Sequence, residues 1–204
     1  MHPNSVFRNG DRALHEQLIA EVGFGMVFLA TPDGPRVAHT PVLLRGTGDD
    51  RRLVFHLARG NALTRHLDGA HALVVVNGPD GYVTPRWYAD QGTVPTWNYV
   101  AIEAEGRVAR LDRDGLLGLL TDLSAHNEAR IPGHPWTMDK TPPAILSRLL
   151  DAIVGFELSV SAWRPTFKLS QNKDSADRAQ VAAGFDAGGS PGIAALMRTL
   201  GDQA

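Results

Sequence analysis

Thr96-Trp97-Asn98-Tyr99-Val100-Ala101-Ile102-Glu103-Ala104-Glu105-Gly106-Arg107-Val108-Ala109-Arg110-Leu111 is the stretch that decides the fold. Val100, Ile102, Ala104, Gly106 and Val108 fall on one side, and Tyr99, Ala101, Glu103, Glu105 and Arg107 on the other. Alternation with a period of two over such a length predicts a long, half-buried β-strand. Upstream, Phe24 to Ala30 and Arg36 to Leu44 are apolar runs separated by Pro32-Asp33-Gly34-Pro35, which is strong turn chemistry, so they predict a hairpin. Leu53 to Leu57 predicts a further strand, and Ala72 to Val76 one so apolar that both of its faces are expected to be buried. Downstream, Val154 to Trp163 alternates again, and Phe167 and Leu169 extend the pattern. Short turns between strands predict an antiparallel sheet.

Helices are predicted around this sheet. Asp11 to Val22 carries Leu14, Leu18 and Ile19 on one face, with Asp11 as N-cap and Gly23 as stop. Asn61 to Leu67 reads as a short helix capped by Asn61. Asp112 to His126, Ile145 to Ala152, Asp174 to Ala183 and Ile193 to Leu200 follow, the last after the joint Gly188-Gly189-Ser190-Pro191-Gly192. The segment from Asn77 to Pro95, with Gly78, Pro79, Gly81, Pro85, Gly92 and Pro95, is expected to be a long functional loop. About six or seven strands with few helices predict an α+β protein, mainly β: a small barrel with flanking helices.

Composition narrows the chemistry. The chain has 204 residues, 43% hydrophobic and 21% charged, which suits a folded domain with a real core. It has no cysteine, which removes disulfides, thiolate metal sites and a cysteine nucleophile. None of His2, His15, His39, His56, His66, His71, His126 and His134 stands in a zinc-like spacing, and no metal site is expected. His126 and His134 are expected at the surface. The formal net charge is −2, and no basic helix or helix-turn-helix pattern is present, which weighs against direct DNA binding. No run is long and apolar enough to span a bilayer and no signal-peptide pattern opens the chain, so a cytoplasmic location without membrane attachment is the default expectation.

Three segments carry candidate binding chemistry. Lys168-Leu169-Ser170-Gln171-Asn172-Lys173 sets two cations, a hydroxyl and two amides around one leucine, a donor set suited to an anion or the polar edge of a ring system. A solvated edge strand accounts for the two lysines but not for Ser170, Gln171 and Asn172 between them. Thr84, Trp87, Tyr88, Trp97 and Tyr99 gather aromatics in one Pro-flanked region, as ligand platforms or as caps on a barrel end. Phe55-His56-Leu57-Ala58-Arg59-Gly60-Asn61 ends a strand and starts a helix, where free N–H groups and Arg59 suit a phosphate; an ordinary turn with a surface arginine competes with that reading. No GxxxxGK[ST] or GxGxxG loop and no GxSxG elbow occurs, and no catalytic residue can be named.

Taken in order, these segments resemble the PaiB family of FMN-binding negative transcriptional regulators. The resemblance rests on His39-Thr40-Pro41-Val42-Leu43-Leu44, His56 to Asn61, Gly78 to Tyr88, Val94 to Tyr99, Pro135-Trp136-Thr137-Met138-Asp139-Lys140, Ala152 to Glu157 and Lys168 to Lys173. It implies a split β-barrel, the fold of pyridoxamine-phosphate oxidases and small flavin reductases, over residues 1–186, with 187–204 as a flexible joint and C-terminal helix. It implies a homodimer with FMN at the subunit interface. Arg59 and Asn61 would lie near the FMN phosphate, and Thr84, Trp87, Trp97 and Asn98 around the ribityl chain and ring. Lys168, Ser170, Gln171 and Asn172 would reach in from the other subunit. Gly60, Ala62, Asp80 and Gly81 depart from the family pattern, Asp80-Gly81 standing where a His-Ala pair is common. Three functions follow as expectations: an FMN-binding regulator, a flavin-dependent oxidoreductase acting on a small molecule, or a haem protein with His39, His56 or His66 as axial ligand.

Overall fold

The computed structural model describes residues 3–8 and 10–201; His2 lies outside them. Six strands are present among the described residues: β1 (Phe24–Thr31), β2 (Gly34–Arg45), β3 (Arg52–Ala58), β4 (His71–Val83), β5 (Thr96–Arg110) and β6 (Ile153–Lys168). They close into a barrel in the order β1-β2-β3-β6-β5-β4. The helices are α1 (Arg12–Val22), α2 (Thr64–Leu67), α3 (Arg113–Glu128), α4 (Pro143–Asp151), α5 (Ser175–Ala187) and α6 (Pro191–Gly201). The expected hairpin is β1-β2, antiparallel and in register from Phe24↔Pro41 to Thr31↔Gly34. The β1, β2, β3 and β6 ladders are antiparallel.

The described residues form two compact units, one of residues 16–76 and 103–163, the other drawn from residues 1–15, 77–102 and 164–204. In the first, β3 and β6 place Leu53, Phe55 and Leu57 opposite Leu158, Phe156 and Val154. All six are buried, and the Phe55 and Phe156 rings stack at 5.7 Å. Val54 points the other way and packs with Leu119 and Leu123 of α3. Gly106 lets β5 pass close to β6, since a Cβ there would sit 1.8 Å from the Ser159 carbonyl oxygen. The second unit is held by Val181, Ala182 and Phe185 of α5 and by Ile193, Ala194 and Met197 of α6, all buried. The expected joint is short, with α5 ending at Ala187 and α6 starting at Pro191.

Three local expectations change. The segment after Val76 is not loop from the start: β4 continues to Val83, then a 3-10 turn runs Pro85–Trp87. Its breakers are matched to neighbours, because a Cβ on Gly81 would meet the Phe185 ring at 2.3 Å and Gly192 lies against Pro79. Ala72 to Val76 is buried on one face only: Ala72, Val74 and Val76 are buried while Leu73 and Val75 are half-buried. Leu73 pairs with Phe28 and Val75 with Met26, on a sheet face where Phe24, Phe28 and Val37 are 51%, 37% and 43% exposed. The short helix spans only Thr64–Leu67 with Leu63 as its N-cap; Asn61 closes the turn before it, its Oδ1 accepting from the Leu63 N–H at 2.9 Å.

Candidate functional site

Of the proposed clamp, Lys168 is the last residue of β6 and the rest folds into a tight turn behind it. Ser170 is buried and takes φ 62, the one left-handed non-glycine residue described. Such a backbone costs an L-residue about 1 kcal/mol or more and needs compensation. The compensation is visible: Asn98, fully buried, donates through Nδ2 to Ser170 Oγ at 3.0 Å, and Ser170 Oγ donates to Asn98 Oδ1 at 3.2 Å. The Tyr88 hydroxyl is also hydrogen-bonded to Ser170, and burial pushes its pKa up. Gln171 tightens the turn, accepting from the Leu169 N–H at 2.7 Å and donating to the Phe167 carbonyl.

That turn holds two ammonium groups. Lys168 Nζ donates to the Trp97 carbonyl at 2.7 Å and to Thr96 Oγ1, and partial burial lowers its pKa. Lys173 Nζ stands 4.4 Å from the Tyr88 ring centroid, within cation–π range. Asn172 is exposed. So Lys168, Ser170, Gln171, Trp97 and Asn98 are brought together, with Asn98 and Ser170 as the buried support and Lys168 and Trp97 nearer the surface. Thr84 and Trp87 are fixed separately. Thr84 Oγ1 accepts from the Arg86 N–H at 3.4 Å, and the Trp87 indole packs edge-on to Phe185 at 5.2 Å. Gly184 makes room for that indole, since a Cβ there would come within 2.4 Å of it. Trp87 therefore spends much of its surface on α5, whereas Trp97 is 54% exposed.

Arg59 and Asn61 belong to the other unit. Arg59 Nε donates to the Asp151 carbonyl at 2.6 Å, at the C-terminal end of α4 where carbonyls lack helical partners. It lines a cavity of about 420 Å³ with Arg110, Arg113, Asp112, Asp151 and the apolar residues of β6. Arg113 is paired with Asp151 at 2.7 Å, so Arg59 and Arg110 against Asp112 leave the cavity one net positive charge. Arg110 and Arg113 were not among the residues singled out in the sequence; Arg-Leu-Asp-Arg at the start of α3 is the signal that could have found them. Among the histidines proposed for haem, His39 is exposed, and His66 accepts from Arg65 Nε at 2.9 Å. His56 is half-buried on the β3 face that carries Val54, its Nδ1 is buried without a hydrogen-bond partner, and burial lowers its pKa. Of the two expected at the surface, His134 is exposed, while His126 is half-buried with Nε2 2.8 Å from the Ala20 carbonyl.

A closed six-stranded barrel of this kind is the fold of split-barrel flavin proteins. The chain is similar to the FAD and heme binding protein from Mycobacterium smegmatis, at 20% identity over 87% of this chain and 80% of that one, TM-score 0.59. It is similar also to the flavocytochrome Anf3 from Azotobacter vinelandii, at 16% identity over 88% and 78% of the two chains, TM-score 0.57. In sequence, residues 1–162 match the family described as "Putative FMN-binding domain". "Protease synthase and sporulation protein PAI 2" of Bacillus subtilis is 32% identical over 80% of this chain and 78% of its own length. The chain belongs to this family, the PaiB type of FMN-binding domain.

Proposed function

We propose that this protein binds FMN as a homodimer. The observation that carries the reading is the cavity at Arg59. A flavin mononucleotide ends in a phosphate dianion, and Arg59 and Arg110 face one cavity with more positive than negative charge. Guanidinium forks match phosphate oxygens two at a time. Arg59 is already anchored by the Asp151 carbonyl, which holds the fork in place rather than leaving it to search. Asn61 does not line that cavity; its Oδ1 is spent on Leu63, and its NH2 is the group it would offer to a phosphate held by Arg59.

Thr84, Trp87, Trp97, Asn98, Lys168, Ser170, Gln171 and Asn172 are the proposed surroundings of the ribityl chain and ring. Lys168 to Asn172 are offered by the same protomer as Trp97 and Asn98, not by the other subunit, since Lys168 bonds Trp97 and Ser170 bonds Asn98 within a single chain. Lys168 would bring a cation to the ring edge, while Asn98 and Ser170 keep the Lys168 turn in shape. The bound flavin would supply electron transfer; the protein's part is to hold and orient it. The dimer reading is supported by the apolar sheet face of Phe24, Phe28 and Val37, which is the kind of surface a partner covers. A regulatory role, which the family implies, is proposed to act without direct DNA contact, given the net charge of −2 and the lack of a reading helix.

An absorption spectrum of purified protein, before and after adding FMN, is the test. Twin visible flavin bands that stay with the protein support the reading. A Soret band would replace it with haem, for which the unpartnered Nδ1 marks His56 as the first ligand to mutate. A colourless protein that retains no added FMN would overturn it.

A further inference from the structure

A second cavity, of about 270 Å³, has a different character from the arginine-lined one. It is lined by Asn77, Gly78 and Asp80 of β4 and by Trp97, Tyr99 and Val100 of β5. No lysine or arginine lines it, and Asp80 makes no ion pair with any described residue. Its charge is therefore that of one exposed carboxylate set among aromatic rings. Trp97 is 54% exposed, and its indole is braced edge-to-face by Tyr82 at 6.1 Å, itself 49% exposed. Trp97 and Tyr82 are thus packed edge to face while each keeps about half of its surface open to solvent.

We propose that this cavity binds a small organic cation, an alkylammonium or quaternary ammonium group. Aromatic faces carry negative quadrupole density and attract cations within about 6 Å of the ring centre, most strongly when the cation is poorly hydrated. The carboxylate supplies the opposite charge from the other strand. An anion such as a phosphate is repelled from the same place, so this cavity and the one at Arg59 select opposite ligands. The volume lies just under the range usual for drug-sized ligands, which suits a compact ammonium. Trp97 also stands in the proposed flavin surroundings, so the cation would lie beside that site; the inference itself rests on Asp80 and the rings and not on FMN.

The probe is choline, with its uncharged carbon isostere 3,3-dimethylbutan-1-ol as control, titrated by calorimetry into the full chain. Choline is expected to bind saturably and at least tenfold more tightly than the isostere. Asp80→Asn is expected to lower choline affinity about tenfold, and Trp97→Leu to lower it as well. Asp80→Asn should leave FMN affinity, measured on the same sample, unchanged, which also shows that the variant is folded. Equal affinity for choline and isostere, or choline binding untouched by Asp80→Asn, would overturn the proposal. FMN titrated in parallel separates this failure from a failure of the flavin reading.

Discussion

Ser170 shows how one residue can be both strained and indispensable. Its φ of 62 is tolerated because Asn98 and Tyr88 hold its hydroxyl in a buried site. Ser170→Gly loses the hydroxyl but relaxes the backbone; Ser170→Ala loses it and keeps the Cβ in the left-handed region. Urea denaturation should find Ser170→Ala less stable than Ser170→Gly by about 1 kcal/mol; equal stability of the two would mean the backbone strain is negligible. His56 carries a pH dependence. Its folded pKa lies below the ordinary value because burial disfavours the cation, so near and below that ordinary value the unfolded chain binds more protons. Stability should therefore fall as pH drops from about 6.5, the unfolded pKa, through the folded one. His56→Phe, which cannot protonate, should flatten that slope, as denaturation series at neutral and mildly acid pH would reveal. For binding, Arg59→Ala and Lys168→Ala are each expected to weaken FMN by roughly 1.5–3 kcal/mol, one charge-assisted bond apiece. Unchanged flavin affinity in both variants would remove them from the site. The Lys168–Asn172 cluster was legible as chemistry because its residue types are unusual in such density. The partnership of Ser170 with Tyr88 was not, since more than eighty residues separate them in the chain.

Elements were legible where period and propensity agreed. The alternation of β5 and the capped, leucine-bearing α3 are two cases, and Asp112 does cap α3, accepting from the Gly115 N–H at 2.8 Å. They were illegible where tertiary contact overrode local preference. Gly78, Pro79 and Gly81 argue for loop, yet β4 runs through them because Phe185 occupies the space that a side chain on residue 81 would need. The same logic sets Gly184 beneath Trp87. Gly81→Ala and Gly184→Ala should each destabilise the protein by about 1–3 kcal/mol through overpacking, despite the gain in intrinsic propensity. Phe185→Leu should recover part of the Gly81→Ala loss but none of the loss from Gly184→Ala if Trp87 alone is the obstacle there. Thermal denaturation of the single and double variants measures both, and additive losses for Gly81→Ala with Phe185→Leu would contradict the packing account.

On the scale of the whole molecule, the exposed apolar face of β1 and β2 bears on assembly. Phe28 and Val37 are cross-strand partners, so their side chains form one patch. Phe24→Glu, on the same face, would place a charge in the proposed dimer contact at a smaller cost to a free protomer than a core charge, because Phe24 is 51% exposed. Sedimentation should find a dimer for the parent chain and monomer for the variant; a parent chain that is monomeric at high concentration would remove the dimer from the proposed function. The sequence by itself determined the strand periodicity, the antiparallel hairpin, the mainly β class and the family, since these rest on residue order and local preference. Only the tertiary structure decided that the barrel closes β6 onto β3 and β5, that Arg59 shares a cavity with Arg110, and that Asp80 faces an aromatic pocket. Each of those joins residues far apart in the chain, and their pairing is set by which apolar faces find cover, a property of the folded whole that no local window contains.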